Sequence, residues 1–547
     1  MNEITKSITF LKEYKQLKQA VDEGKTPVLA VGLSAIHKAH LAAALGLDTG
    51  RPVLVLTDDD NAANRFAADL RGFSERDIVQ LPSRELVMAD VVGVSRGYEQ
   101  ARLAALDTLS GACFAVASVQ AAAQRTMPPA LLASSIVTLK AGEEAPLDEL
   151  THRLTDAGYE RCSQVEGMGQ FSVRGGILDI FPPQAEHPYR VEFWDDEIDS
   201  ISTFDVGSQR RLEQCETLRC LPCMEALPSL AKGGAAGLAK AVAALASSRR
   251  KKQHAELQKN LERDAERLRE SGTLPAADKY LPLIYPQMAT AFDYLPENTL
   301  ILIEDTPRLR DAARDFHARI ADDVTALMER GELPGGMDGY ALDFAGICSI
   351  KRQIVRMDSF LNSIPELAPQ HLENFVANQM NAYGGNLDMA SADIRSYTEQ
   401  GRAVAVVCGS TLRCKNMFDA LTDSGLKVQL SDLLPKGGCV NIMEGMISAG
   451  FEYPDLGLVV MTEGQVLARR KKAKVKRSNR DRVKSFTDLS PGDLVVHEHH
   501  GIGRFIGMER MTVDGSERDF IKIAFAGTDF LYVPATSLDL ISKYIGS

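Results

Sequence analysis

No apolar run in this 547-residue sequence approaches the roughly 18 residues that a bilayer-crossing helix needs. The first residues, Met1, Asn2, Glu3 and Ile4, also lack the basic-then-apolar layout of a secretory signal. A membrane-spanning helix is thereby excluded, and the protein is expected in the cytoplasm. Cysteine is sparse and odd in number: nine scattered residues argue for reduced thiols, not a disulfide framework. Only Cys220 and Cys223 form a CxxC, with Cys215 nearby, and no second pair or suitably spaced histidine completes a zinc set. Core or surface thiols, and no metal, are the expectation there. Trp194 is the only tryptophan.

What is present is ordinary globular composition, 45% apolar and 25% charged. At roughly 100 to 200 residues per domain, several modules are expected, each able to bury a core. The net charge of -12 looks unfavourable for nucleic acid, but the basic residues are unevenly spread. Between Arg469 and Lys484 stand ten basic residues and one acid, Asp481, which leaves 52 basic against 73 acidic residues elsewhere. Such a run is a solvated linker or helix face, or else a contact to DNA.

Residues 27 to 140 alternate short β-rich runs with helical patterns. The strand candidates are Val28 to Val31, Val53 to Leu56, Ile78 to Leu81 and Phe114 to Val119, which predicts a parallel α/β sheet. From 146 to 222 the pattern changes to short strands with turn residues, a small strand-rich insertion. Residues 236 to 272 are alanine-rich and then carry interleaved Arg, Lys and Glu, which predicts one long helix with a charged, solvated face. The run Thr299 to Ile303 returns the chain to the first sheet. A connector over 351 to 374 leads to a second α/β domain over 375 to 462, with strands at Ala403 to Val407 and Leu458 to Met461. After a basic linker, 463 to 485, alternation in 486 to 547 predicts a small barrel of about five strands, closed by a short helix, Ser537 to Tyr544.

A working phosphate loop reads GxxxxGK[ST]: backbone amides cradle the phosphates, the lysine neutralises them and the hydroxyl holds magnesium. The strand Val28 to Val31 leads into Gly32, Leu33, Ser34, Ala35, Ile36, His37, Lys38 and Ala39. His37 replaces the glycine that lets the backbone approach phosphate, and Ala39 offers no metal ligand. The acidic box expected after Leu300 to Ile303 reads Glu304, Asp305, Thr306, Pro307, with its two acids inverted and proline in the histidine position. Two independent defects predict that the chain neither hydrolyses ATP nor needs a cofactor.

The order of these pieces resembles UvrB, the damage-verification protein of bacterial nucleotide excision repair, over roughly residues 1 to 350. The resemblance rests on Phe114 to Val119, on Tyr294 to Ile303 and above all on Arg174-Gly-Gly-Ile-Leu-Asp-Ile-Phe-Pro182. Beyond the lost ATP motifs, Pro82 to Gly93 contains no aromatic residue where that family carries a tyrosine-rich hairpin, so a base-separating wedge is not expected. A shell that lacks both is similar to the amino-terminal part of the transcription-repair coupling factor family. The run Pro491 to Gly507, Leu531 to Pro534 and Leu538 to Tyr544 resemble that family's RNA-polymerase-interacting domain and the CarD-type regulators.

The resemblance implies a multidomain α/β protein. A degenerate UvrB-like helicase module spans 1–145 and 290–350, a UvrA-binding insertion 146–222, a helical domain 223–289, and a Tudor- or CarD-like barrel 486–547. It further implies that a double-stranded-DNA translocase motor, which carries ATP and magnesium, and an autoinhibitory domain would follow Ser547. This chain is then an amino-terminal half whose DNA contacts lie mainly in that motor, with 469–484 a second candidate. Transferred by motif, the UvrA contacts are Arg174, Arg190 and Trp194, and the contacts to the RNA polymerase β subunit are Arg504, Phe505 and Met511. Strand alternation puts Val191 and Phe193 on one face and Arg190, Glu192 and Trp194 on the other, outer one. The alternatives are that Trp194, Phe505 and Met511 are core residues. A competing reading of the whole is a helicase-superfamily DNA-binding enzyme with a diverged ATP site.

Overall fold

The computed structural model describes residues 3–89, 96–247, 255–380, 382–433, 437–467, 492–497, 501–513, 516–524, 530–534 and 541–543. They fall into two compact units, Met1–Leu467 and Ala468–Ser547. The stretch 469–484, the basic candidate for DNA contact, lies outside the described residues.

The first unit is built on a seven-stranded sheet, ordered His371–Asn374, Val28–Val31, Gln353–Met357, Leu300–Glu304, Val53–Thr57, Phe114–Ser118, Ile78–Leu81. Every pairing in it is parallel. The central strands are apolar on both faces and buried along their length, because helices cover both sides. Helix Ala35–Thr49 stops at Gly50, which takes the left-handed conformation (φ 65°) that an L side chain resists. Helix Asp60–Phe73 starts on Asp59, whose carboxylate accepts from the Ala62 amide at 2.6 Å.

The stretch 351–374 is not a connector: Gln353–Met357 and His371–Asn374 are strands of this sheet. Arg356 disguises the first of them. Its guanidinium is fully buried and donates to Asp358 (2.7 Å), Thr306 (3.1 Å) and the Leu367 carbonyl (2.8 Å).

The strand-rich insertion is a six-stranded sheet, ordered Arg211–Cys215, Glu197–Phe204, Tyr189–Trp194, Ile177–Ile180, Gln170–Arg174, Glu160–Arg161. A second ribbon pairs Val137–Lys140 with Thr217–Cys220, so this region's strands begin before 146. The single long helix expected over 236 to 272 is instead two helices, Gly234–Ser247 and Ala255–Ser271, packed on each other. Each carries an apolar stripe, Leu238, Val242 and Ala246 on one and Leu257, Leu261, Ala265 and Leu268 on the other. Folding back buries both stripes, which one straight helix would leave wet.

The second α/β region has a six-stranded sheet in which Leu458–Thr462, Ala403–Cys408, Val440–Glu444 and Val428–Leu430 run parallel. Phe451–Tyr453 and Asn378–Gln379 add antiparallel strands at one edge. One apolar cluster runs from Val28, Ile36 and Ala39 into Val407, Phe451, Tyr453 and Val460. This region and the first sheet therefore share a core.

In the second compact unit five antiparallel strands are ordered Phe530–Pro534, Ser516–Ala524, Gly501–Val513, Leu494–His497, Ile541–Lys543. The expected closing helix from Ser537 is overturned at Ile541–Lys543. Those residues extend along Leu494–His497, with Ile541 opposite His497, and satisfy backbone groups that strand would otherwise leave open.

Candidate functional site

The segment Gly32 to Ala39 follows its strand as a phosphate loop would, but it winds into helix three residues too early. Ser34 caps a helix that begins at Ala35, and the Lys38 amide donates to the Ser34 carbonyl at 3.0 Å. Residues 35 to 37, which would have to splay open around a phosphate, are the first helical turn. Gly32 is left-handed (φ 84°), and a Cβ there would collide with the Phe375 carbonyl oxygen. His37 is buried, its Nδ1 2.8 Å from Ser34 Oγ, and its ring meets Phe451 and Tyr453 edge-on at 5.5 and 5.1 Å. Burial lowers its pKa to about 4, so the imidazole is neutral. Ala39 is fully buried.

The acids come within electrostatic reach of the lysine nonetheless, since only the strand Gln353–Met357 separates Leu300–Glu304 from Val28–Val31. Lys38 is buried and its ammonium faces Ser359 Oγ at 3.4 Å. Burial lowers its pKa, against the opposing pull of Glu304, Asp305 and Asp358. Burial likewise raises Glu304, with Lys38 pulling it down. Asp305 is left-handed at φ 60° and caps helix Thr306–Glu329 without a side-chain bond. The charged pieces of a nucleotide site thus survive together, but the loop is wound shut and position 39 has no hydroxyl, so the segment does not fit a magnesium-bound triphosphate.

In the insertion, strand alternation sorts the three candidates. Val191 is buried, whereas Trp194, beside the turn Asp195–Asp196, is 81% exposed, so the core alternative fails for it. Arg174 and Arg190 both reach the buried carboxylate of Asp179, one strand away from each. Arg190 does so with two bonds, 2.7 and 2.8 Å, and lies 4.6 Å over the Phe204 ring. Arg174 makes one bond of 3.2 Å, with half of its side chain exposed. Arg190 is therefore fastened to its own sheet, while Arg174 and Trp194 are open to a partner. On the same outer face Glu192 is held by Arg211 and by Ser200 (2.9 Å).

In the second compact unit Arg504 is exposed and Phe505 is buried, so Phe505 is a core residue and not a surface contact. Alternation along the strand gives the reason, and the register shift between Phe505 and Gly507 leaves Ile506 on the outside. Met511 pairs with Arg518 in the ladder, and its side chain lies outside the described residues.

Sequence reasoning missed a buried charge cluster. Arg84 Nη1 lies 2.6 Å from Asp278 and its Nε 2.9 Å from Glu225, which also faces Arg102 at 3.2 Å, with Glu99 alongside. Its members are far apart in the chain, so no local pattern announced them. Cys220 and Cys223 are buried, and burial raises the Cys220 thiol to about 12. Among the described residues no His, Cys, Asp and Glu group is placed to hold a metal, and no helix is long and apolar enough to cross a membrane.

Two family models match the chain. The UvrB interaction domain covers residues 137–225, and the CarD-like/TRCF RID domain covers residues 489–545. The first spans the two-stranded ribbon and the six-stranded sheet, and the sheet carries Arg174, Arg190 and Trp194. A transcription-repair-coupling factor of Bacillus subtilis (strain 168) is 30% identical over 98% of this chain and 47% of its own length. Those of Staphylococcus aureus (strain USA300) and Staphylococcus epidermidis (strain ATCC 12228) are 26% identical over 98% and 97% of the chain. The chain spans about half the length of these curated relatives. Over nearly all of its residues it thus corresponds to an amino-terminal half of the transcription-repair-coupling factors.

Proposed function

We propose that this chain is a docking adaptor of transcription-coupled repair. Residues 137–225 recruit UvrA, and residues 489–545, read as a small CarD-like barrel, grip the β subunit of RNA polymerase. The observation that carries the first half is the placement of Trp194, a lone tryptophan held out at a hairpin turn with the half-exposed Arg174 on the same face. A large exposed ring beside a guanidinium is the kind of anchor that dominates protein interfaces. Arg504 and Ile506 are the corresponding outward pair for the polymerase. The chain itself is proposed to turn over no ATP, because the only phosphate-loop-like segment is wound into helix.

The test is retention of UvrA by the 547-residue chain. Trp194→Ala combined with Arg174→Ala should weaken it at least tenfold and leave thermal unfolding unchanged. Unchanged retention sinks the assignment. Removing residues 486–547 should abolish capture of RNA polymerase and spare that of UvrA.

A further inference from the structure

Residues 375–462 are not simply tethered to the first sheet; they close over the end of it where a phosphate loop would open. The Phe375 amide donates to the Val31 carbonyl at 3.0 Å, and the Phe375 carbonyl fills the space above Gly32. Asn374 Oδ1 would lie 3.2 Å from a Cβ on Gly32. Phe451 and Tyr453, both fully buried, pack on His37. Tyr453 Oη sits 3.1 Å from His40 Nδ1, while His40 Nε2 reaches the Ile4 carbonyl at 2.9 Å. His40 is also stacked on Phe73 at 4.7 Å. A second attachment lies on helix Asp60–Phe73. Asp69 accepts from the Ser448 amide (2.8 Å) and hydroxyl (2.9 Å), and the Met446 carbonyl occupies the place a side chain at Gly72 would need.

The helix that follows a phosphate loop is ordinarily free on the side where nucleotide enters. Here residues 36 to 46 are buried on every side, which makes the helix an interior element shared by two sheets. The contacts that cover it are aromatic packing and neutral hydrogen bonds with close backbone approach, the composition of a core and not of a surface that opens and closes.

We infer that residues 375–462 are a built-in replacement for nucleotide, a permanent clamp that holds the end of the first sheet in one state. The lost motif is then a consequence of this packing as well as of the substitutions His37 and Ala39. The clamp makes the first unit an unswitched platform for whatever it carries.

Hydrogen exchange on the unaltered 547-residue chain tests this directly. Segments 31–41 and 447–455 should open together, with the same protection, and that protection should be unmoved by millimolar ATP with magnesium. Independent opening of 447–455, or protection that rises with ATP, overturns the inference. Gly32→Ala gives a second reading: its Cβ strikes Phe375, and exchange in 447–455 should speed up at least tenfold. A folded Gly32→Ala chain with unchanged exchange there also overturns it. If that variant does not fold, the unaltered chain decides alone.

Discussion

Replacing Arg190 and replacing Trp194 should have opposite kinds of effect, although the two residues lie on one face of one strand. The Arg190 side chain is 17% exposed and its guanidinium holds the carboxylate of Asp179, 2% exposed, through two short bonds. Arg190→Ala leaves a buried carboxylate with a single 3.2 Å contact to Arg174. Stripping one partner from a fully buried pair costs about 3–5 kcal/mol. Arg174 and water still reach Asp179, so about 2–3 kcal/mol is expected, including the lost packing over Phe204. At about 1.4 kcal/mol per tenfold, amide exchange across Gln170–Arg174, Ile177–Ile180 and Tyr189–Trp194 should rise about 30- to 140-fold. Trp194→Ala should move it by less than about twofold, the range for an exposed side chain. Exchange mass spectrometry on the two variants decides. An Arg190→Ala chain with wild-type exchange, or a Trp194→Ala chain that opens as readily, would refute the division into a fastened arginine and a free tryptophan. The practical consequence is that a loss of the proposed UvrA binding in Arg190→Ala says nothing about contact unless exchange is measured alongside.

Further expectations follow from the same structure. Asp278→Asn uncouples Arg84 from its closest carboxylate and should cost about 3–5 kcal/mol, seen as a lowered midpoint for the first unit in scanning calorimetry. His37 and His40 are held neutral by burial, with pKa values lowered to about 4 and about 3. The unfolded chain therefore binds more protons than the folded one, so stability is full above about pH 6.5 and falls as pH drops toward 4. Denaturant titrations should show a slope approaching about 1.4 kcal/mol per pH unit for each histidine, and His40→Phe should reduce it. Trp194 emission should be that of a water-exposed indole, readily quenched by iodide, and should shift to the blue when UvrA is added; an emission already blue in the free chain would contradict the exposed placement.

The strands of the first sheet were readable because parallel strands buried on both faces are near-continuous apolar runs, as in Val53–Thr57 and Phe114–Ser118. Gln353–Met357 was not, because a fully buried arginine breaks the run, and only Asp358, Thr306 and the Leu367 carbonyl make that burial tolerable. The helix pair at 234–271 reads as one helix in sequence, since each half shows the same amphipathic pattern and no local signal says that the stripes face each other. The closing strand Ile541–Lys543 was read as helix because its partner edge, Leu494–His497, lies more than forty residues away.

Taken alone, the sequence determined the mixed α/β class of the protein, the departure of Gly32 to Ala39 from a phosphate-loop pattern, and the outward direction of Trp194. Each of these depends on residue identity or on the two-residue period of a strand, which are local properties. Tertiary structure decided which arginine stays half-exposed, Arg174, and which is fastened, Arg190, that Phe505 is buried, and that Phe375 covers Gly32 while Phe451 and Tyr453 pack on His37. Those outcomes depend on what a distant segment of chain brings to the same few ångströms, and no local pattern records that.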